Sequence, residues 1–67
     1  MMVKVTVGKK RAKNLKLGAG SVAGDVFNSL GLKPDMHIAV RNGAFVPLDE
    51  PLSDGDEVRI LAVASGG

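Results

Sequence analysis

An α+β domain, with a mixed sheet of four to five strands and one helix packed on one face, is the fold class this sequence predicts. Three observations predict it. Val3, Val5 and Val7 alternate with Lys4 and Thr6, and Val58 and Ile60 alternate near the other end, the two-residue period of strands with one buried face. Between them a single segment has Val22, Val26, Phe27 and Leu30 at helical spacing. Asn42-Gly43 separates two further short apolar runs, and this pair tolerates the positive φ values a two-residue hairpin needs. With 67 residues, the chain is expected to form one domain over 1–63, a size that buries about 60% of the unfolded surface.

The elements follow in order. Val3 to Val7 form the first strand, and Gly8-Lys9-Lys10-Arg11 form a loop. Leu15 and Leu17 alternate with Asn14 and Lys16 in a second strand pairing back as a hairpin. After Gly18-Ala19-Gly20, Ser21 is placed to accept an orphan amide proton as helix N-cap. Gly31 suits the left-handed residue that closes the helix, Leu32 folds back on it, and Pro34 stops continuation. His37 to Arg41 is a third strand, read with Ile38 and Val40 on the helix face and His37, Ala39 and Arg41 on the other. Ala44 to Val46 is a fourth, marked as an edge by Pro47. Pro51-Leu52 and Asp54-Gly55-Asp56 make a loop and turn, Val58 to Val63 the last strand, and 64–67 a flexible tail. The predicted core is Val3, Val5, Val7, Leu15, Leu17, Ile38, Val40, Val58 and Ile60 beneath Val22, Val26, Phe27 and Leu30. Strand–strand–helix–strand–strand–strand with a covering helix is a β-grasp plan.

Composition excludes several chemistries. The chain is 45% apolar and 24% charged, with nine glycines and no cysteine, tryptophan or tyrosine. Absent cysteine leaves no disulfide framework, zinc ribbon or thiol nucleophile. The N-terminus alternates and no apolar run approaches the roughly 20 residues of a membrane span, so a cytoplasmic monomer without membrane contact is expected. Charge is polarised. Residues 1–24 hold six basic residues and no acid, and the remainder hold three against seven acids. A basic half can contact nucleic acid, and a β-grasp RNA-binding or protein-interaction module using Lys9, Lys10 and Arg11 is the alternative reading. No aromatic residue interleaves with these cations as a base-stacking platform requires.

Other motifs lead to no catalytic constellation. Gly18-Ala19-Gly20-Ser21-Val22-Ala23 matches G-x-G-x-x-G/A before a helix, but the chain is too short for a doubly wound sheet. Asp49, Glu50, Asp54, Asp56 and Glu57 place five carboxylates in nine residues. They do not follow the EF-hand order, and a solvated acidic turn is the simpler reading. His37 has no second histidine or cysteine beside it, so neither metal nor bound cofactor is expected. The chain end has no such simple reading. A strand, a short spacer of small residues and then Gly66-Gly67 present a carboxylate roughly 13 Å from the sheet over four extended residues. Without Cβ atoms, both glycines can enter a channel that larger side chains would block.

Asn42-Gly43, Val46-Pro47, the run Leu52-Ser53-Asp54-Gly55-Asp56-Glu57-Val58 and the terminal Gly66-Gly67 resemble the ThiS/MoaD sulfur-carrier family. They look equally like the archaeal small modifier proteins, which are ubiquitin-like. The resemblance implies a β-grasp protein that is not itself an enzyme. Its Gly67 would be adenylated by a ubiquitin-activating-type, ThiF/MoeB-like enzyme that uses ATP. The product would become a thiocarboxylate delivering sulfur to an acceptor enzyme, or would be joined to a target-protein lysine. Gly66 and Ser65 would thread into that partner, and Lys9 and Lys13 are candidate acceptor lysines. Val7-Gly8 lacks the Asn-Gly turn of many ThiS proteins. Leu61 to Ser65 lacks the prolines common in MoaD, and the chain is shorter than typical MoaD. These departures favour a small modifier or generic sulfur carrier. For docking, strand alternation directs Arg59, Leu61 and Val63 away from the helix. With the third and last strands adjacent, Ala39 and Leu61 are expected to form an exposed apolar patch rimmed by Arg41 and Arg59.

Overall fold

The computed structural model describes residues 1–63, so the predicted tail over 64–67 lies outside the described residues. Its elements are β1 (Met2–Val7), β2 (Lys13–Lys16), α1 (Ala23–Leu30), a single 3₁₀ turn (Pro34–Met36), β3 (His37–Arg41), β4 (Ala44–Val46) and β5 (Glu57–Ala62). The sheet order is β2-β1-β5-β3-β4. β1 runs antiparallel to β2 and parallel to β5, and β3 runs antiparallel to both β5 and β4. The sheet is therefore mixed, with α1 on one face, as predicted. The last strand occupies the middle position, and β2 and β4 are the edges. Among the described residues no helix is long and apolar enough to cross a membrane.

The core lies between sheet and helix. Val3 and Val5 of β1, Ala39 of β3, Val46 of β4, and Val58 and Ile60 of β5 meet Ala23, Val26 and Phe27 of α1, with Leu52 closing one side. Phe27 and Ile60 are its largest fully buried side chains. Full burial of such a side chain contributes about 2–3 kcal/mol, the main resource of a domain without disulfide or metal staples. Val7, Leu15, Leu17 and Leu30 pack against this core only partly buried. Asn42 and Gly43 take φ values of 55° and 79°, the pair of positive angles the β3–β4 turn requires.

Three readings are corrected. First, β3 has the opposite facing. Ala39 stands across from Ile60 and is 3% exposed, while Ile38 pairs with Leu61 and Val40 with Arg59 on the helix-free side. A strand turns alternate side chains to opposite faces, so placing Ala39 with Ile60 and Val46 sends Ile38 and Val40 outward. Second, α1 starts at Ala23, one residue later than a Ser21 cap implies. Val22 is the N-cap, and its N–H donates to the Asp25 carboxylate at 2.8 Å, which puts an acid at the third helical position. The Ser21 hydroxyl instead donates to the Gly18 carbonyl at 2.7 Å. Third, β5 ends at Ala62. The Val63 N–H leaves the ladder and donates to the Met36 carbonyl at 2.8 Å.

The long connection from β4 to β5 is ordered by the helix start. Ala23 and Gly24 donate to the carbonyls of Glu50 and Leu48 at 3.0 and 2.8 Å, and Leu52 donates to Ser21 at 2.9 Å. A Cβ on Gly24 would meet the Leu48 oxygen at 3.2 Å, so this close approach suits glycine. Leu52 then reaches the core, 6% exposed.

Candidate functional site

Several sequence candidates resolve into structural roles. The first-turn amides of α1 are already engaged: Val22 by Asp25, Ala23 by Glu50, Gly24 by Leu48 and Asp25 by Val22. A helix start binds phosphate through unengaged amides, and here protein oxygens, one of them a carboxylate, take that place. The acidic run is similarly committed. Asp54 accepts from the Met2 N–H at 2.7 Å, Asp56 accepts from the Ser53 N–H at 2.8 Å, and Arg41 spans Glu50 and Asp56 at 2.9 and 3.1 Å. Among the described residues no group of three or more His, Cys, Asp or Glu is arranged to hold a metal ion. His37 stacks obliquely on Phe27, ring centres 6.5 Å apart, and its Nδ1 lies 3.0 Å from the Lys33 carbonyl oxygen.

The chain end is approached through β5. This strand is paired on both sides, by β1 and β3, so its direction is held by two hydrogen-bonded ladders. The bond from Val63 to Met36 is a further tether before residue 64. Ser65, Gly66 and Gly67 lie outside the described residues.

Beside that exit lies the helix-free face of the sheet. Ile38 and Leu61 are directly opposite across the β3–β5 ladder, and Val40 stands between Arg59 and Phe45. Ile38, Val40 and Leu61 are half-buried, and Phe45 is 76% exposed. Arg59 of β5 is exposed, and so is Val63, which follows the strand. Two predicted members are absent from this face. Ala39 lies in the core, and Arg41 is turned to Glu50, Asp56 and the Pro51 carbonyl, 3.3 Å away. The residues that sequence reasoning missed are Ile38, Val40 and Phe45. The Asn42-Gly43 turn yokes Phe45 to Val40, so one choice of face moves both. Burial preference pointed the wrong way, because the more apolar set of β3 faces outward. An apolar cluster left open in this way is the kind of surface through which proteins associate.

The parallel pairing of β1 and β5 also sorts charge in space. Gly8 donates to the Ile60 carbonyl at 2.7 Å, so the loop carrying Lys9, Lys10 and Arg11 sits at the end of the sheet where β5 finishes. The Lys4 backbone N–H donates to the Asp56 backbone carbonyl at 2.8 Å, placing the acidic turn at the opposite end. Lys9 and Lys13 are exposed. Phe45 is on β4 and this loop adjoins β2, the other edge, so no aromatic ring stands among the loop cations.

This architecture is shared by known proteins. SAMP1 from Haloferax volcanii superposes with a TM-score of 0.78 at 20% identity, covering 100% of both chains. The ubiquitin of Caldiarchaeum subterraneum gives 0.73 at 20% identity, covering 100% of this chain and 98% of its own. A second structure, of H. volcanii small archaeal modifier protein 1, gives 0.77 at 16% identity and covers 94% of this chain and 98% of its own. These likenesses establish the ubiquitin-like β-grasp fold. The ThiS family model matches residues 5–67, nearly the whole sequence. With that match, the chain belongs to the ThiS family and is a small carrier-type protein, not an enzyme.

Proposed function

We propose that the chain works through its last carboxylate. A partner of ubiquitin-activating, ThiF/MoeB-like type adenylates Gly67 using ATP. A sulfur nucleophile then displaces AMP to leave a thiocarboxylate for an acceptor enzyme, or a target lysine displaces it to form an isopeptide bond. The chemistry requires this order, because a carboxylate is a poor electrophile until one oxygen is made a good leaving group. ATP and any metal belong to the partner, so this chain needs no cofactor of its own.

The observation that carries the reading is the position of β5. It is the central strand, clamped by β1 and β3, and it leads directly toward Gly66-Gly67. A rigid stem with a side-chain-free tip suits insertion into a narrow catalytic channel. Ile38, Val40, Phe45 and Leu61, with Arg59 and Val63 at the margin, form the docking surface beside that stem. The basic loop at the same end favours a partner with an acidic surface around its channel.

Intact-mass measurement after incubation with ATP, a sulfur source and the activating enzyme tests the carrier branch. The expected result is a gain equal to replacing one oxygen by sulfur, lost when Gly67 is deleted. The modifier branch is read on target lysines. Trypsin cuts last after Arg59, so the expected remnant is Ile60 to Gly67. If a Gly67 deletion leaves all conjugates and sulfur transfer intact, the reading is wrong.

A further inference from the structure

The two edges of the sheet are unequal. β2 reads Lys13-Asn14-Leu15-Lys16, whereas β4 lies within a run from Asn42 to Leu48 that has no charged residue. Lysines on an edge strand keep other strands from pairing with it, so one edge is defended and the other is not. We propose that β4 is a self-association edge, where two copies of this chain pair antiparallel about a two-fold axis passing between their Phe45 residues.

Three observations carry this. The first is the direction of the β4 backbone. Gly8 donates to the Ile60 carbonyl at 2.7 Å, so residue 60 turns its backbone groups toward β1, and Arg59 and Leu61 turn theirs toward β3. Backbone groups alternate sides along a strand. Arg59 and Leu61 therefore bond to Val40 and Ile38, and Ala39 and Arg41 bond to Val46 and Ala44. Phe45 is left with both its N–H and its C=O on the outer edge, and among the described residues neither takes part in a turn or loop hydrogen bond. When two copies pair there, each Phe45 N–H meets the other's C=O, and one residue pair satisfies all four groups.

The second observation is the side chain. Phe45 is 76% exposed, the most exposed large apolar residue among those described. Residues directly opposite in an antiparallel pair share a face, so the two rings meet on the helix-free side and cover one another. The third is charge and length. Self-pairing sets no like charges together over 42–48. Pro47 has no N–H, and its carbonyl already accepts from the Glu50 N–H at 3.0 Å. The ladder stops after one hydrogen-bonded pair, which gives a weak, closed dimer and not a filament. The two five-stranded sheets become one sheet of ten, with both α1 helices on the same side.

Other pairings fit less well. A charged partner strand finds no counter-charge along 42–48. Two β2 edges would set lysines against lysines.

The test is amide NMR and sedimentation of the full chain over a concentration series. The expected result is a monomer–dimer equilibrium with a dissociation constant of about 0.1–1 mM. The amides of Ala44, Phe45 and Val46 should shift, and those of Asn14 and Lys16 should not. Phe45→Lys should weaken association roughly tenfold or more, because like charges directly opposite repel. Lys13→Glu, on the other edge, should change it by less than about twofold. Phe45 is exposed, and the variant's own spectrum verifies that it is folded. The chain has no cysteine, so Phe45→Cys supplies a single thiol about 5.5 Å, Cα to Cα, from its copy, within disulfide reach. Oxidised glutathione should link this variant into dimers much faster than an Asn14→Cys chain. A protein that stays monomeric at about 2 mM overturns the proposal. Association that survives Phe45→Lys, shifts confined to β2 or to Ile38 and Leu61, or equal linking of the two cysteine variants does so too. A foreign strand is the occupant instead if the peptide Thr-Val-Phe-Val-Thr shifts the β4 amides of a chain that does not self-associate. None of these readouts involves Gly67, so they leave the carrier reading untouched.

Discussion

Arg41 holds Asp56 through a 3.1 Å bond from its Nη1 to the Oδ2 atom, joining the end of β3 to the turn that starts β5. Its other arm reaches Glu50 at 2.9 Å. One guanidinium thus fastens both halves of the long β4–β5 connection, and Asp56 also caps the Ser53 N–H. The geometry gives Arg41 an architectural role where a docking role was expected.

Arg41→Met should accordingly lower stability by about 1 kcal/mol, the scale of a partly exposed pair with charged hydrogen bonds. Amide exchange should accelerate mainly over residues 50–56. Urea unfolding and exchange measurements check both. Unchanged exchange in that segment would contradict the clamp.

The two sides of β3 should respond in opposite ways. Ala39→Leu forces extra volume into a packed core and should cost about 1–3 kcal/mol. Ile38→Lys and Leu61→Lys place charge on an open face and should leave the melting temperature nearly unchanged. The latter pair should instead weaken association with the activating enzyme, read by titration calorimetry.

Leu52 is the apolar anchor of the β4–β5 connection, so Leu52→Ala should cost about 2–4 kcal/mol by losing transfer energy and leaving a cavity. Small domains have only some 5–15 kcal/mol in total. The loss should be visible as a large drop in the urea midpoint.

Helix capping separates two neighbouring polar residues. Asp25→Ala removes the acceptor of the Val22 N–H and should cost about 1 kcal/mol. Ser21→Ala removes only the bond to the Gly18 carbonyl and should stay within about 0.5 kcal/mol. Equal effects in thermal unfolding would restore Ser21 as the cap.

Local signals were legible where one residue type answers one local requirement. The alternation of β1 and β5, the Asn42-Gly43 turn, Gly31 in its left-handed conformation and the edge character of β4 all follow from steric or hydrogen-bonding limits acting within a few residues. The element order, with a single helix to cover one face, was enough to point to the β-grasp fold. The terminal glycine pair is likewise a property of the sequence, as is the family resemblance that gives it meaning.

Tertiary structure alone decided the rest. His37 to Arg41 has apolar residues on both sides, so alternation defines two faces without saying which meets the helix. Only the register against β5, which seats Ala39 opposite Ile60, makes that choice. Arg41, Leu52 and Asp25 acquire their partners through the path of the β4–β5 connection and the true start of α1, which no short window contains. The parallel pairing of β1 with β5 also brings the basic loop to the end of the strand that leads to Gly67. The sequence by itself determined which segments form strands and helix. Long-range pairing determined which side chains share a surface, because contacts between distant residues depend on register that local propensity does not encode.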